Sequence, residues 1–352
     1  MKVSIVVPTY NEAENIKKLI PLLDSVLKDY NHEIIIVDDN SPDGTAEVAK
    51  KLTEKYPVKV IVREKKLGLA SAILEGIKSA RAELVVVMDA DLQHPPEYVL
   101  ELLKNSNGYD IVIASRYVKG GEIEGWSIFR KVISKGASLL AKIMLPKIRK
   151  IKDPESGFFL VRRSKILAIA DKINPTGFKF LLEVLCVGDF KVKEIPYTFR
   201  PREHGKSKFN FKEVINYIKL LLRLSDYRVI KFGIVGATGI VVNEGLLYIL
   251  VLLGCPLYIA SLVAIESSIL SNFILNDLWT FKDRKEGSFI SRCLKYHGAV
   301  ALGAVVNFIT LLALVSLGVH YLIANLIGIS LGFVVNYIGS EVVVWSRWGR
   351  NF

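Results

Sequence analysis

The chain has 352 residues and a formal charge of +12, yet 51% of it is hydrophobic and its mean hydropathy is +0.34. That length suits two domains, and such hydropathy in a lysine-rich chain argues against one soluble fold and for a charged domain joined to a membrane domain. Three widely spaced cysteines, Cys186, Cys255 and Cys293, indicate neither a disulfide framework nor a zinc site.

The opening MKVSIVVPTYNE has a short apolar run cut off by Pro8, which predicts a first β-strand and no signal peptide. Strand-like runs follow at Ile34–Val37, Val58–Val62, Leu84–Met88 and Ile111–Ala114. Between them, Glu12–Lys28, Gly44–Lys55 and Leu69–Ser79 place apolar residues at helical spacing. Asn11 and Glu14 have the spacing of a capping box for the first helix. The alternation predicts an α/β domain: a parallel sheet covered on both faces, with its chemistry at the carboxyl ends of the strands. No GxGxxG follows the first strand, so a dinucleotide fingerprint is missing.

The segment WSIFRKVISKGASLLAKIMLPKIRK, Trp126 to Lys150, mixes apolar residues with Arg130, Lys131, Lys135 and Lys142. It reads as a basic amphipathic helix for a membrane surface, and residues 211–228 repeat the pattern. Four apolar stretches follow, at about 229–253, 257–276, 295–317 and 321–344, each long enough to cross a bilayer. The turns at Gly254–Leu257 and Gly318–Tyr321 lack Lys and Arg, whereas Arg223, Arg228, Lys231, Lys282, Arg284, Lys285, Arg292, Lys295, Arg347 and Arg350 flank the other ends. The positive-inside rule then puts residues 1–228, the central loop and the C-terminus in the cytoplasm, with the chain integral to the cytoplasmic membrane. The first hairpin also lies over the second without a gap, pairing Lys231 with Lys295, Gly239 with Gly303, Asn243 with Asn307 and Asn272 with Asn336. This predicts a duplicated hairpin of parallel topology.

The chemistry concentrates in VVVMDADLQHPP. In an extended chain, residues two apart point the same way, so Asp89, Asp91 and Gln93 would offer hard oxygen donors for Mg²⁺ or Mn²⁺ shared with a phosphate. A second acidic turn, VDDNSPDGT, follows the strand that ends at Val37. Asp38 or Asp39 there could accept from a ribose or base, with one of the two structural, and Pro8, Thr9, Tyr10 and Glu12 share the rim.

VSIVVPTYNEAENI, IIIVDDNSPDGT, MDADLQHPP, DPESGFFLVRR, TGFKFLLEV and REHGKSKF together resemble the family 2 glycosyltransferases over nearly all of residues 1–225, in order. The four-span tail is similar to GtrA-like membrane domains. The resemblance implies a GT-A fold in residues 1–210, a juxtamembrane interfacial helix in 211–228 and a transmembrane domain in 229–352. It implies transfer of mannose from GDP-mannose to dolichyl (polyprenyl) phosphate at the lipid bilayer with a divalent metal, Mn²⁺ or Mg²⁺, and no nucleic-acid partner. Carried onto this chain, Pro8, Tyr10, Glu12, Val37, Asp39, Asp89, Ala90, Asp91 and Gln93 bind the nucleotide sugar. Asp89, Asp91 and Gln93 hold the metal, and Asp89, Asp91 and Arg202 are catalytic. Charge logic assigns the acceptor phosphate to Arg116, Arg130, Ser134, Arg202 and Lys208. Gln93 is the sole glutamine, so the Gln-x-x-Arg-Trp motif of processive synthases is missing and a single transfer is expected. The alternatives are a glucose synthase using UDP-glucose, or a flippase or transporter with a regulatory nucleotide-binding domain.

Overall fold

The computed structural model describes residues 2–174, 179–202 and 211–346. The chain divides into two compact units, Met1–Leu221 and Leu222–Asn351.

The first unit is built on a seven-stranded sheet ordered β3-β2-β1-β4-β7-β5-β8. Its strands are β1 (Lys2–Thr9), β2 (Asn31–Asp38), β3 (Val58–Val62), β4 (Leu84–Val87), β5 (Ile111–Ser115), β7 (Phe159–Arg162) and β8 (Val192–Pro196). A short pair, β6 (Glu122–Ile123) and β9 (Thr198–Phe199), lies apart from it. The helices α1 (Ala13–Val26), α2 (Thr45–Leu52), α3 (Leu69–Ser79) and α4 (Tyr98–Lys104) alternate with the early strands, as the periodicity requires. β1 and β4 are continuous apolar runs because both of their faces are covered: Val3, Ile5, Val6, Val7, Val85 and Val86 are fully buried. Each such side chain contributes about 1.5–3 kcal/mol.

Two expectations are corrected. The sheet is mixed, because β7 pairs antiparallel with both β4 and β5. The capping box does not form either. Asn11 takes φ +57°, and the amides of Asn11, Glu12 and Ala13 donate to Ser41, Thr45 and Asp43 of the β2–α2 loop and the first residue of α2. Side chains about thirty residues away cap α1, satisfying the orphan donors that a local Asn/Glu pair would have served.

α5 (Ile128–Met144) is amphipathic as expected and ends before Pro146, where a short 3₁₀ turn follows. Its apolar stripe faces outward, with Ile128 82%, Phe129 73%, Val132 61% and Leu139 60% exposed. After α6 (Arg163–Leu167) and α7 (Phe180–Val187) comes α8 (Phe211–Leu224), whose Tyr217 hydroxyl reaches the Ala137 carbonyl of α5 and the Glu155 carboxylate.

The second unit has four helices long and apolar enough to cross a membrane. They are α9 (Arg228–Leu252), α10 (Leu257–Leu275), α11 (Phe289–Ser316) and α12 (Tyr321–Gly339), with π-helical turns at Asn276–Thr280 and Ser340–Val344 extending the second and fourth. The duplication seen in the sequence is physical. A Cβ on Gly239 would collide with Asn272, and one on Gly303 with Asn336, so the same glycine lets the same asparagine close each hairpin. The hairpins then exchange contacts reciprocally. Arg228 of the first binds Glu341 of the second at 3.1 Å, and Arg292 of the second binds Asp277 of the first at 2.7 Å. Phe232 meets Tyr337 at 5.6 Å and Tyr296 meets Phe273 at 5.8 Å, while Phe281 and Trp345, equivalent to each other, stack face to face at 4.4 Å. The unit is therefore a pseudo-two-fold dimer of hairpins held by swapped ion pairs.

Candidate active site

In the sheet order, β1 lies between β2 and β4, and the connections leave its two sides in opposite directions. Such a reversal opens a crevice outside the carboxyl ends of the strands. Pro8 and Val37 are register partners at that rim, buried like Ala90, so they line it with backbone. Tyr10 is half-buried, with the Lys66 Nζ 3.5 Å above its ring. Glu12 is almost buried and its Oε2 accepts from Asn15 at 2.6 Å.

Asp38 and Asp39 both accept hydrogen bonds that hold the loops at this rim. Asp38 accepts from Thr9 and from the amide and hydroxyl of Ser41. Asp39, 4% exposed, accepts from Arg63 at 3.0 Å and from the amides of Leu67 and Gly68 at 2.8 Å each. It fastens the β3–α3 loop to the rim because the amides there have no strand partner to satisfy them.

The apolar β4 is the central strand, and it ends at Val87. The alternation does not run on to Gln93, since Leu92 adopts φ +61° and bends the acidic turn back. Asp91 is 2% exposed; its Oδ1 accepts from the Gln93 amide at 3.1 Å and its Oδ2 from Arg202 at 2.6 Å. The Asp89 side chain is 41% exposed toward the crevice; desolvation by the surrounding protein, and then the Asp91 charge, push it up to about 7 against the opposing pull of Arg202. Gln93 Nε2 donates to the Arg200 carbonyl, and the Arg200 amide returns a bond to Gln93 O. This zipper delivers Arg202 to an aspartate 111 positions away.

Among the described residues no three His, Cys, Asp or Glu side chains gather to hold a metal by themselves. What the turn does offer is two neighbouring carboxylates, Asp89 and Asp91, plus the Gln93 amide oxygen. That donor set fits a hard divalent cation whose remaining ligands come from elsewhere.

Across the crevice, guanidinium groups converge. Arg116, after β5, is clamped to buried Asp153 at 2.8 and 2.7 Å; burial opposes its charge, but the Asp153 bonds outweigh this and raise its pKa. Arg130 of α5 lies 4.2 Å from the Trp126 ring, and among the described residues it meets no carboxylate. Burial, then the charges of Arg202 and Arg116, lower its pKa, so the three cations feel one another. Ser134, one turn along α5, is bonded to the Tyr117 hydroxyl at 2.9 Å. A groove of about 390 Å³ beside Arg116 is lined by Tyr117, Lys135, Ser138, Leu139 and Lys142. Arg130, the one of the three with no carboxylate partner among the described residues, adds positive charge beside the two paired guanidinium groups, and such a cluster can take up a phosphate. Lys208 lies outside the described residues.

Three residues with no assigned role from the sequence also belong here. Lys179, paired with Glu155 at 3.3 Å, pulls on the Asp89 charge. His94 is 2% exposed and touches Asp89, and Gly157 covers both. His94 and Gly157 stand inside MDADLQHPP and DPESGFFLVRR, so motif membership was their only signal.

Residues 4–169 match the family described as glycosyl transferase family 2, and residues 231–345 match the GtrA/DPMS transmembrane domain. The chain is 51% identical to a dolichol-phosphate mannosyltransferase of Pyrococcus furiosus, over 98% of this chain and 100% of that one. It is 37% identical to the enzyme of that name from Mycosarcoma maydis, over 64% of this chain and 79% of that one. The Saccharomyces cerevisiae counterpart is 36% identical over 65% and 88%.

Proposed function

Because the chain belongs to the dolichol-phosphate mannosyltransferase family, we propose that it moves mannose from GDP-mannose to dolichyl or a related polyprenyl phosphate, inverting the anomeric carbon. The observation that carries this reading is the convergence of the acidic turn (Asp89, Asp91, Gln93) with Arg202, Arg130 and Arg116. A donor diphosphate and an acceptor phosphate each find their complement there.

The nucleoside lies on the rim made by Pro8, Tyr10, Glu12, Val37 and Asp39, with its diphosphate toward Asp89, Ala90, Asp91 and Gln93. A divalent cation, Mn²⁺ or Mg²⁺, held by Asp89, Asp91 and Gln93 would neutralise the diphosphate and stabilise it as leaving group. Arg130, Arg116 and Ser134 hold the acceptor phosphate, and Arg202 screens its charge from that of the carboxylates. An acceptor phosphate oxygen attacks the anomeric carbon as the carbon–oxygen bond to GDP breaks, and the electron pair leaves with the diphosphate. A phosphate monoester is already anionic at neutral pH, so a strong general base is unnecessary.

The outward apolar stripe of α5 supports placing this helix on the bilayer, where the lipid's head reaches Arg130 and its chain stays in the membrane. The charge distribution around the four spans supports a cytoplasmic side for the catalytic unit and both termini.

The test is Asp91→Asn assayed for transfer at saturating metal. We expect a loss of at least about a hundredfold, as for removal of a transition-state charge partner; near-normal turnover would mean the site is wrongly placed.

A further inference from the structure

His94 is not needed by the reading above, yet it is among the most completely enclosed polar residues of the crevice. Its Nδ1 lies 3.1 Å from the backbone nitrogen of Asp89. That amide brings the hydrogen, so Nδ1 is the acceptor and the ring proton sits on Nε2. Nε2 in turn lies 3.9 Å from Asp89 Oδ2. One imidazole thus addresses both the backbone and the carboxylate of Asp89.

The ring cannot turn. It stacks on Phe158 with centroids 5.2 Å apart and planes 16° apart, and the rings of Tyr197 and Phe199 meet it edgewise at 6.0 and 5.8 Å. The DPESG turn closes the remaining side. A Cβ on Gly157 would come within 3.1 Å of His94 Cε1 and 3.2 Å of Asp89 Oδ2, so the pair would have to give by a few tenths of an ångström to admit it. The left-handed bend at Leu92 is what returns the chain so that residue 94 can lie under residue 89.

We propose that His94 is a positioning residue for Asp89: the Asp89 amide donates to Nδ1 and so fixes where the turn begins, and the Nε2–H edge, 3.9 Å from Oδ2, presents a positive dipole that biases the carboxylate toward the orientation that meets the cation and donor diphosphate. The proposal rests on the reading of Asp89 as a metal and donor ligand. Outer contacts that orient a metal ligand are worth roughly 10–100-fold in metal affinity.

The experiment titrates Mn²⁺ into full-length protein in detergent with GDP present, following free Mn²⁺ by electron paramagnetic resonance. His94→Asn keeps an acceptor near the Nδ1 position and loses the Nε2 donor; Gly157→Ala instead presses a methyl group against the pair. Each variant should bind Mn²⁺ roughly 10–100-fold more weakly, with turnover recovering as Mn²⁺ is raised. A ring that only fills space would leave Mn²⁺ affinity unchanged in folded protein, and that result overturns the proposal. If His94→Asn does not fold, wild-type Mn²⁺ affinity in Gly157→Ala overturns it equally. Absence of Mn²⁺ binding by the wild-type protein would refute the metal reading itself, and the role of His94 with it.

Discussion

Asp277→Ala gives the sharpest energetic prediction for the membrane unit. Asp277 is 2% exposed and accepts from Arg292 at 2.7 and 3.2 Å and from Trp345 Nε1 at 2.9 Å, with Lys285 at 3.4 Å. Truncation leaves a buried guanidinium without its carboxylate, which costs about 3–5 kcal/mol. The orphaned indole N–H belongs to the same network, so its own penalty of about 1–3 kcal/mol does not simply add. Glu341 is the repeat-mate, with Arg228, Arg284 and Tyr337 among its partners. Pseudo-symmetry therefore predicts that Glu341→Ala destabilises to the same degree. Thermal unfolding in one detergent should show both variants melting roughly 10–20 °C below the parent. The reasoning is refuted if either variant shifts by no more than a surface substitution does, about 0.5 kcal/mol, or if only one of the pair is sensitive.

Mn²⁺ affinity should weaken as pH falls through about 7, because a raised carboxyl pKa leaves Asp89 protonated below that value and the cation must displace the proton. Below that pH the slope should approach roughly tenfold per pH unit in a calorimetric titration and vanish in Asp89→Asn; a flat profile in the parent would place the titration elsewhere. Arg130→Met should raise the KM for the lipid phosphate roughly 10-fold or more, the worth of a charge-assisted hydrogen bond, and leave the KM for GDP-mannose unchanged. Phe129→Ser with Val132→Ser removes two outward apolar groups worth about 1.5–3 kcal/mol each if fully inserted in lipid. Transfer on liposomes should fall, with little change for a short-chain acceptor in detergent; an equal loss in both would mean the stripe packs on protein.

Much of this was legible in the sequence because it is local. The hydrophobic period located β1 to β5 and α1 to α3, the four spans stood out by length, and Asp89–Asp91 sits where a buried strand had to meet solvent. What was not legible depends on residues far apart in the chain. The direction of β7 is set by its neighbours, so FFLVR reads alike in either orientation. Asn11 has the right spacing for a cap, but Ser41 and Asp43 of the β2–α2 loop and Thr45 at the start of α2 offer three acceptors at once and prevail. The acidic pair at 38 and 39 reads as an acceptor for a ribose or base with one structural member, and the loop amides and Arg63 that bond them come from residues the sequence does not connect to them. The repeat was visible by alignment, whereas the crossing of Arg228 to Glu341 and of Arg292 to Asp277 needed the helices placed.

The most direct measurement is glycosyl transfer to dolichyl phosphate in detergent, with GDP-mannose and UDP-glucose side by side, each with Mn²⁺ and with chelator. Product from GDP-mannose alone, abolished by chelator, is the predicted result. Product from UDP-glucose alone would contradict the donor assignment, and no product from either, with nucleotide still bound, would contradict the transferase account as a whole.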